Sequence, residues 1–442
     1  AAGGGGGSGG PSATADGHLQ RVRVATLDGQ EVASLLLRPS ARVAEVLRLS
    51  EQAIAGSVPG SPRPQHRLVH RGTVLSAALT LIDCCVEDGA QLALVACKAA
   101  CVLTVGANTA SLWNASSGKC LQTFQGHGRQ VNSAVFSADS TSVLTASADG
   151  TAKLWIVSSG ECVQTFVGHG GSVNSAFFSP GGTSVLTASH DRTAKLWRAS
   201  SGVCLHTFQG HEREVTSAAF SADGTSVLTT SADGTARLWS AAGWTCTRTF
   251  SGHALGVNSA VFSSDDDRIA TASDDCSVRV WSARTGECVR VLGGGGGGGV
   301  QAAVFSADGA SVLAASRGSA RIWSVADGRL LWSSDGHAES MPVNSALFSA
   351  DGASVLTASD DGTAKLWSVA SGQCVRTFEG HAGAVHSAVF SADDSSVLTT
   401  SSDGTARLWS SASGRCTQSF LCSSAEGAKR GLPRLATFPP CE

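Results

Sequence analysis

Residues 126–166 read GHGRQVNSAVFSADSTSVLTASADGTAKLWIVSSGECVQTF, and residues 168–208 repeat them as GHGGSVNSAFFSPGGTSVLTASHDRTAKLWRASSGVCLHTF. Tryptophan marks the period, at Trp113, Trp155, Trp197, Trp239, Trp281, Trp323, Trp367 and Trp409, with spacings of 42 residues and one of 44. Within a period, segments 131–137, 142–147, 151–157 and 161–166 alternate over strand length, with turn residues such as Asp149 and Gly150 between them. A repeat of about 40 to 45 residues holding four short strands is one blade of a β-propeller. One blade leaves both faces of its sheet bare, so the blades must stack and close a ring.

The count of blades turns on the ends. Seven complete periods follow an early fragment around Trp113 with only three strands, 101–106, 109–115 and 119–124. Residues 432–438, LPRLATF, resemble the first-strand segment 385–390, VHSAVF. The expectation is that 432–438 completes the blade at 101–124 and closes eight blades; seven, with 101–124 packed otherwise, is the alternative.

Gly126 with His127, Ser147, Asp149 and Trp155 resemble the Gly-His, Ser/Thr, Asp and Trp of WD40 repeats. The set recurs as His169, Ser189, Asp191, Trp197; His211, Ser231, Asp233, Trp239; His253, Ser273, Asp275, Trp281; His337, Ser359, Asp361, Trp367; and His381, Ser401, Asp403, Trp409. The resemblance implies an all-β WD40 propeller over residues 98–440. It also implies an internal chain of indole, hydroxyl, imidazole and carboxylate in each blade, structural although it could be misread as a hydrolase triad. The sequence departs from the family in two ways. No tryptophan is followed by Asp, and the blade around Trp323 has the run 293–299 in place of the histidine and Arg317 in place of the Asp. That blade is expected to be the least stable.

Residues 1–17 are rich in Gly, Ser and Ala and read as a flexible tail. Beyond them, 21–27 and 32–37 alternate as strands about Asp28 and Gly29, and Val43, Val46, Leu47 and Ile54 fall on one helical face. With 67–72, 79–81 and 91–95, this stretch resembles a small α+β ubiquitin-like (β-grasp) domain over 18–97. The resemblance implies an apolar partner patch at Leu27, Val69 and Val95; packing within this protein is the competing reading. No Gly-Gly follows Val95, so the stretch is no conjugatable modifier.

Charged residues are 15% of the chain and the net charge is −3, which argues against nucleic acid as a partner. No apolar run approaches the roughly 20 residues that span a bilayer, so no membrane partner is expected and the location is read as intracellular, cytoplasmic or nuclear. Seven of the 14 cysteines, Cys120, Cys162, Cys204, Cys246, Cys288, Cys374 and Cys416, lie seven residues after a tryptophan and are expected to be buried free thiols. His66 and His70 fall in a strand pattern, too far apart for one metal. Cys84, Cys85, Cys97 and Cys101 lack zinc-ligand spacing. No metal, cofactor or catalytic set is expected.

Propellers bind through rim loops. Asn132, Asn174, Thr216, Asn258, Asn344 and His386 share one position near the start of a first strand, and His190, Asp274 and Asp360 precede the repeated Asp; each is either a contact or merely solvated. Trp244 and Trp332, out of register, are aromatic anchors or blade-to-blade packing. Residues 269–284, IATASDDCSVRVWSAR, look like the Trp-x-x-Arg box of WD40 receptors for cullin-type ligases, which would make Arg284 an adaptor contact, although Ser282 replaces the usual acid and chance competes. The function read from these features is a non-catalytic scaffold for other proteins or peptides. The alternative is a receptor or adaptor engaging ubiquitin-ligase or proteasome components.

Overall fold

The computed structural model describes residues 20–26, 31–37, 41, 45–46, 65–70, 73–74, 91–97, 101–293, 298–316, 319–334, 336–338, 341–422 and 436–437. The chain divides into two compact units, Ala1–Ala100 and Cys101–Glu442. In the first, β1 (Gln20–Thr26), β2 (Glu31–Leu37), β3 (Gln65–His70), β4 (Thr73–Val74) and β5 (Gln91–Cys97) form one sheet in the order β2-β1-β5-β3-β4. Its central pair, β1 and β5, runs parallel and the other pairs are antiparallel. Val22, Val24 and Val46 are fully buried. His66 and His70 both lie in β3, as their strand pattern required.

The second unit is a ring of eight four-stranded antiparallel sheets. Blade 1 has the strand order Ala436–Thr437, Cys101–Val105, Thr109–Asn114, Cys120–Gln125, so chain end and chain start share one sheet. Ala436 pairs with Thr104 and Thr437 with Leu103, which is the closure expected from residues 432–438; the rest of that segment lies outside the described residues. Blade 2 is Val131–Phe136, Ser142–Ser147, Ala152–Ile156, Cys162–Phe166, and blades 3 to 8 repeat this plan. The turn between the first two strands is built by side chains. In blade 2, Ser137 donates to Asp139 at 2.6 Å, and the Asp139 carboxylate accepts the Thr141 amide at 3.0 Å. Its last residue has positive φ, supplied by Gly182, Gly224 and Gly352 in some blades and by Ser140, Asp266 and Asp394 in others.

The core lies between blades. Leu144, Ala146, Ala152 and Phe166 of blade 2 cluster with Val173, Ala176, Val185 and Trp197 of blade 3. Blade tryptophans pack with tilted rings on the outer strand of the preceding blade: Trp155 on Phe124 at 5.8 Å, Trp197 on Phe166 at 5.8 Å, Trp409 on Phe378 at 5.8 Å, and Trp113 on Phe420 at 5.6 Å across the closure. Blade 6 varies the scheme. Leu292 of blade 5 faces Trp323 within one cluster, and Ala314 stands where the seven other blades carry threonine. On its outer strand the bulk has moved two residues along: Ser334 takes the phenylalanine position and bonds the Ala320 amide at 2.8 Å, while Trp332 meets Trp367 edge-on at 5.9 Å. Arg317, expected at the Asp position of this blade, lies outside the described residues.

Two expectations are corrected here. The seven repeated cysteines are exposed, not buried, because they lie at the start of the outermost strand in seven of the eight blades, where no further strand covers them. Trp332 is 6% exposed and belongs to the inter-blade core, so it is no surface anchor; its Nε1 is buried without a hydrogen-bond partner among the described residues. Trp244, half-buried, also packs between blades, stacked on His206 at 6.2 Å and edge-on to Phe208 at 5.7 Å.

Candidate functional site

The repeated polar sets do form, with a different hydroxyl. In blade 2, His127 Nε2 lies 2.7 Å from Thr145 Oγ1, the Trp155 indole donates to the same oxygen at 2.9 Å, and His127 Nδ1 lies 2.9 Å from Asp149 Oδ2. Blades 3, 4, 5, 7 and 8 repeat it through Thr187, Thr229, Thr271, Thr357 and Thr399. Ser147, expected as the linking hydroxyl, instead donates to the Arg129 carbonyl at 3.2 Å and accepts the Asp149 amide at 3.1 Å. Ser189, Ser231, Ser273, Ser359 and Ser401 do the same at their own turns. The reason is register. Trp155 pairs with Val143, which puts Thr145 at the diagonal position an indole reaches, whereas Ser147 stands one step further toward the loop. The signal was legible as the invariant third-last Thr of SVLTAS and SVLTTS.

Hydroxyl, imidazole and carboxylate thus stand in hydrolase order, but the hydroxyl serves the fold. Thr145 is fully buried, and its oxygen already accepts the Trp155 indole. The carboxylate neighbour makes Nδ1 the protonated nitrogen, so Thr145 donates to Nε2. Burial lowers the His127 pKa more than Asp149 raises it. Burial pushes the Asp149 carboxyl up, yet hydrogen bonds from Thr151, His127 and the Gly128 and Thr151 amides outweigh it and hold the group at about 2. Because the folded histidines titrate below 6.5, their contribution is complete above that pH and is lost as the unfolded chain takes up protons below it. The depressed carboxyls contribute above 3.8 and lose this as pH falls toward about 2. The denaturant midpoint is expected to hold steady from about pH 8 to about pH 7, drop toward about pH 5, and drop again below 3.8. A midpoint unchanged between about pH 7 and about pH 5 contradicts it.

Five expected rim contacts turn out to join blades. Asn132 Nδ2 donates to the Val173 carbonyl at 2.8 Å, Asn174 to Val215 at 2.8 Å, Thr216 Oγ1 to Val257 at 2.7 Å, Asn258 to Val300 at 2.9 Å and Asn344 to Val385 at 2.8 Å. Each donor is the extra residue of a β-bulge, which turns its side chain sideways toward the neighbour. Asp274 and Asp360 in turn accept from Asn258 at 2.8 Å and Asn344 at 2.7 Å. His386 occupies the bulge of blade 8. Asn174→Ala is expected to cost about 1 kcal/mol in chemical denaturation, and Gln301→Ala, at an exposed site, close to nothing. Equal effects would remove the latch from the account.

One stretch of this rim is concave. Between blades 2 and 3, two adjoining depressions of about 430 and 550 Å³ share Arg129, Ala148 and Ser172. Gln130, Asn132, Asn174 and His190 line the second, and the backbone of Gly128, Gly150, Gly170 and Gly171 lines the first. Arg129 and His190 are exposed, so a guanidinium and an imidazole face solvent above a floor of amides and hydroxyls. Such a surface offers several hydrogen-bond donors to an incoming polar side chain or extended backbone. Of the expected residues, His190 with Asn132 and Asn174 come together here. Arg129, Gln130 and Ser172 were missed because they belong to the variable part of the repeat. Arg284 is exposed at a turn on blade 5, where its carbonyl accepts from Arg248 Nη2 at 2.8 Å. Leu27 lies outside the described residues; Val69 pairs with Ala93 and Val95 with Arg67 in the N-terminal sheet. Cys84 and Cys85 lie outside the described residues too.

The WD domain, G-beta repeat pattern matches residues 118–155, 160–198, 202–240, 244–282, 286–324, 328–368 and 372–410, more than half of the chain. The chain belongs to the WD40 repeat family. Each match joins the outer strand of one blade to three strands of the next, so the WD40 repeat is staggered against the blade and the chain termini must share blade 1. WD40 propellers are in general non-catalytic platforms that bind other proteins. A solved structure similar to this one is that of the computationally designed Ika8 protein, described as crystal packing No.1 in P63. It is 26% identical, with a TM-score of 0.63, and the match covers 73% of this chain and 99% of that one. No curated protein matches the sequence.

Proposed function

We propose that this WD40 protein is a non-catalytic protein-binding scaffold whose propeller takes partner segments in the rim concavity between blades 2 and 3. The observation that carries the reading is the concavity itself, where exposed Arg129 and His190 stand over polar groups held by inter-blade hydrogen bonds. The six Thr-His-Asp sets are consumed by the fold, which leaves the rim as the chemically open surface. The N-terminal unit is read as a ubiquitin-like docking domain that recruits a second partner and raises its effective concentration. Its strand order, with a parallel central pair, supports that assignment.

Quantitative affinity capture with the full chain tests the reading. A partner kept by the intact protein and lost with Arg129→Ala plus His190→Ala supports the rim site. A partner lost only with Leu27→Ala, Val69→Ala and Val95→Ala assigns recruitment to the N-terminal unit. If neither variant changes the captured set, the proposal fails. The exposed Arg284 favours a second reading, a ubiquitin-ligase substrate receptor; loss of adaptor binding on Arg284→Ala is its expected signature.

A further inference from the structure

Seven cysteines repeat at one place on the propeller's outer wall: Cys120, Cys162, Cys204, Cys246, Cys288, Cys374 and Cys416 are all free and exposed. Each lies at the start of the outermost strand of its blade, first in six strands and second, after Thr245, in the seventh, and no two share a blade. Packed sheets stand about 10 Å apart and blades diverge outward. A disulfide needs Cα atoms within about 7 Å. These thiols therefore have no disulfide partner among themselves.

The seven sites are not chemically equal. Cys162 Sγ lies 3.7 Å from Thr165 Oγ1, and Lys153 Nζ donates to that oxygen at 3.0 Å. Cys204 Sγ lies 3.6 Å from Thr207 Oγ1, to which Lys195 Nζ donates at 2.9 Å. With the ammonium donating to the threonine oxygen, the hydroxyl proton is left to point at sulfur. Elsewhere this line is broken. Ser111 stands in the lysine position beside Cys120 and Thr123, Arg237 beside Cys246 and Thr249, Val291 replaces the threonine near Cys288, and Arg407 faces Ser419 near Cys416. Cys374 keeps Thr377 at 3.6 Å with Lys365 across from it, but among the described residues Lys365 makes no hydrogen bond to that threonine.

We propose that the outer strands form a circumferential band of thiol–disulfide exchange sites that takes up small peptide disulfides of the glutathione type, with Cys162 and Cys204 the fastest. The sulfur of the protein, as thiolate, attacks one sulfur of the small disulfide. The old S–S bond breaks as the protein–S–S bond forms, and its electron pair leaves on the released thiolate, which takes the proton the cysteine gave up. A hydroxyl donor backed by an ammonium stabilises negative charge on the attacking sulfur. Each adduct replaces a thiol by a charged peptide, in most blades next to an exposed aliphatic such as Leu121, Val163, Leu205, Val289 or Val375, and so changes the wall's polarity.

The test exposes the folded full-length chain to oxidised glutathione, quenches with acid, and maps adducts by peptide mass spectrometry while circular dichroism follows the fold. Expected are single-tripeptide adducts at all seven positions without loss of structure, Cys162 and Cys204 first. Lys153→Met should slow Cys162 by about threefold and leave Cys204 unchanged. Internal disulfides, covalent dimers as the main product, or adducts that appear only once the chain unfolds would overturn the band. Equal rates at all seven sites would overturn the role of the lysines.

Discussion

Trp197→Ala is expected to cost about 3–5 kcal/mol, the range for deleting a buried aromatic from a packed core. Trp197 is 2% exposed, packs with a tilted ring on Phe166 at 5.8 Å and edge-on to His169 at 6.0 Å, and donates to Thr187 at 2.8 Å. Removing the indole opens a cavity between blades 2 and 3 and leaves the Thr187 hydroxyl one partner short. Trp113 is only half-buried, and blade 1 offers Thr104 as its hydrogen-bond partner at 2.8 Å without a histidine among the described residues. Trp113→Ala should therefore cost clearly less. Chemical denaturation of both variants decides it: similar losses would mean that the His-Asp-Thr set adds nothing to the tryptophan it surrounds.

Ending the chain at residue 431 is the second large perturbation. It removes Ala436–Thr437, which pair with Thr104 and Leu103 and supply the innermost strand of blade 1. Leu103 and Val105, each 1% exposed, then lie on an open sheet edge beside Val131 and Trp155. Exposing two aliphatic side chains of this size costs about 3–6 kcal/mol, before any loss of cooperativity around the ring. The expected result is a lower unfolding midpoint together with faster amide exchange across residues 101–125. Unchanged exchange in that stretch would show that the ring does not rely on its terminal strand. Restoring residues 432–442 as a separate peptide should recover part of the protection.

The exposed thiols bear on both experiments. The seven outer-strand cysteines are accessible in the folded state, so unfolding must be followed in reductant. Cys422 differs from them: burial pushes its thiol up to about 11, and it packs beside Trp113 and Phe420 at the closing seam. Its reaction with a thiol reagent should report opening of that seam.

The sequence by itself determined the period, the four strands of each blade, the recurrence of Trp, His and Asp, and the terminal strand that completes blade 1 and closes a ring of eight. All of these are statements about order along the chain, carried by an alternation that repeats six or more times and by a terminal segment that matches an internal one. What only the tertiary structure decided is which neighbour each polar group meets. Thr145 rather than Ser147 joins His127 to Trp155 because the register between two strands sets the diagonal an indole can reach. Asn132 and Asn174 look like rim contacts, but each bonds a carbonyl 41 residues away in the next blade, across a bulge that alternation does not reveal. The cysteines read as core by residue type and lie on the wall, since a strand's pattern does not say whether another strand covers it. Trp332 reads as an outlier and lies in the core, because the bulk lost at Ser334 had to return two residues away on the same face.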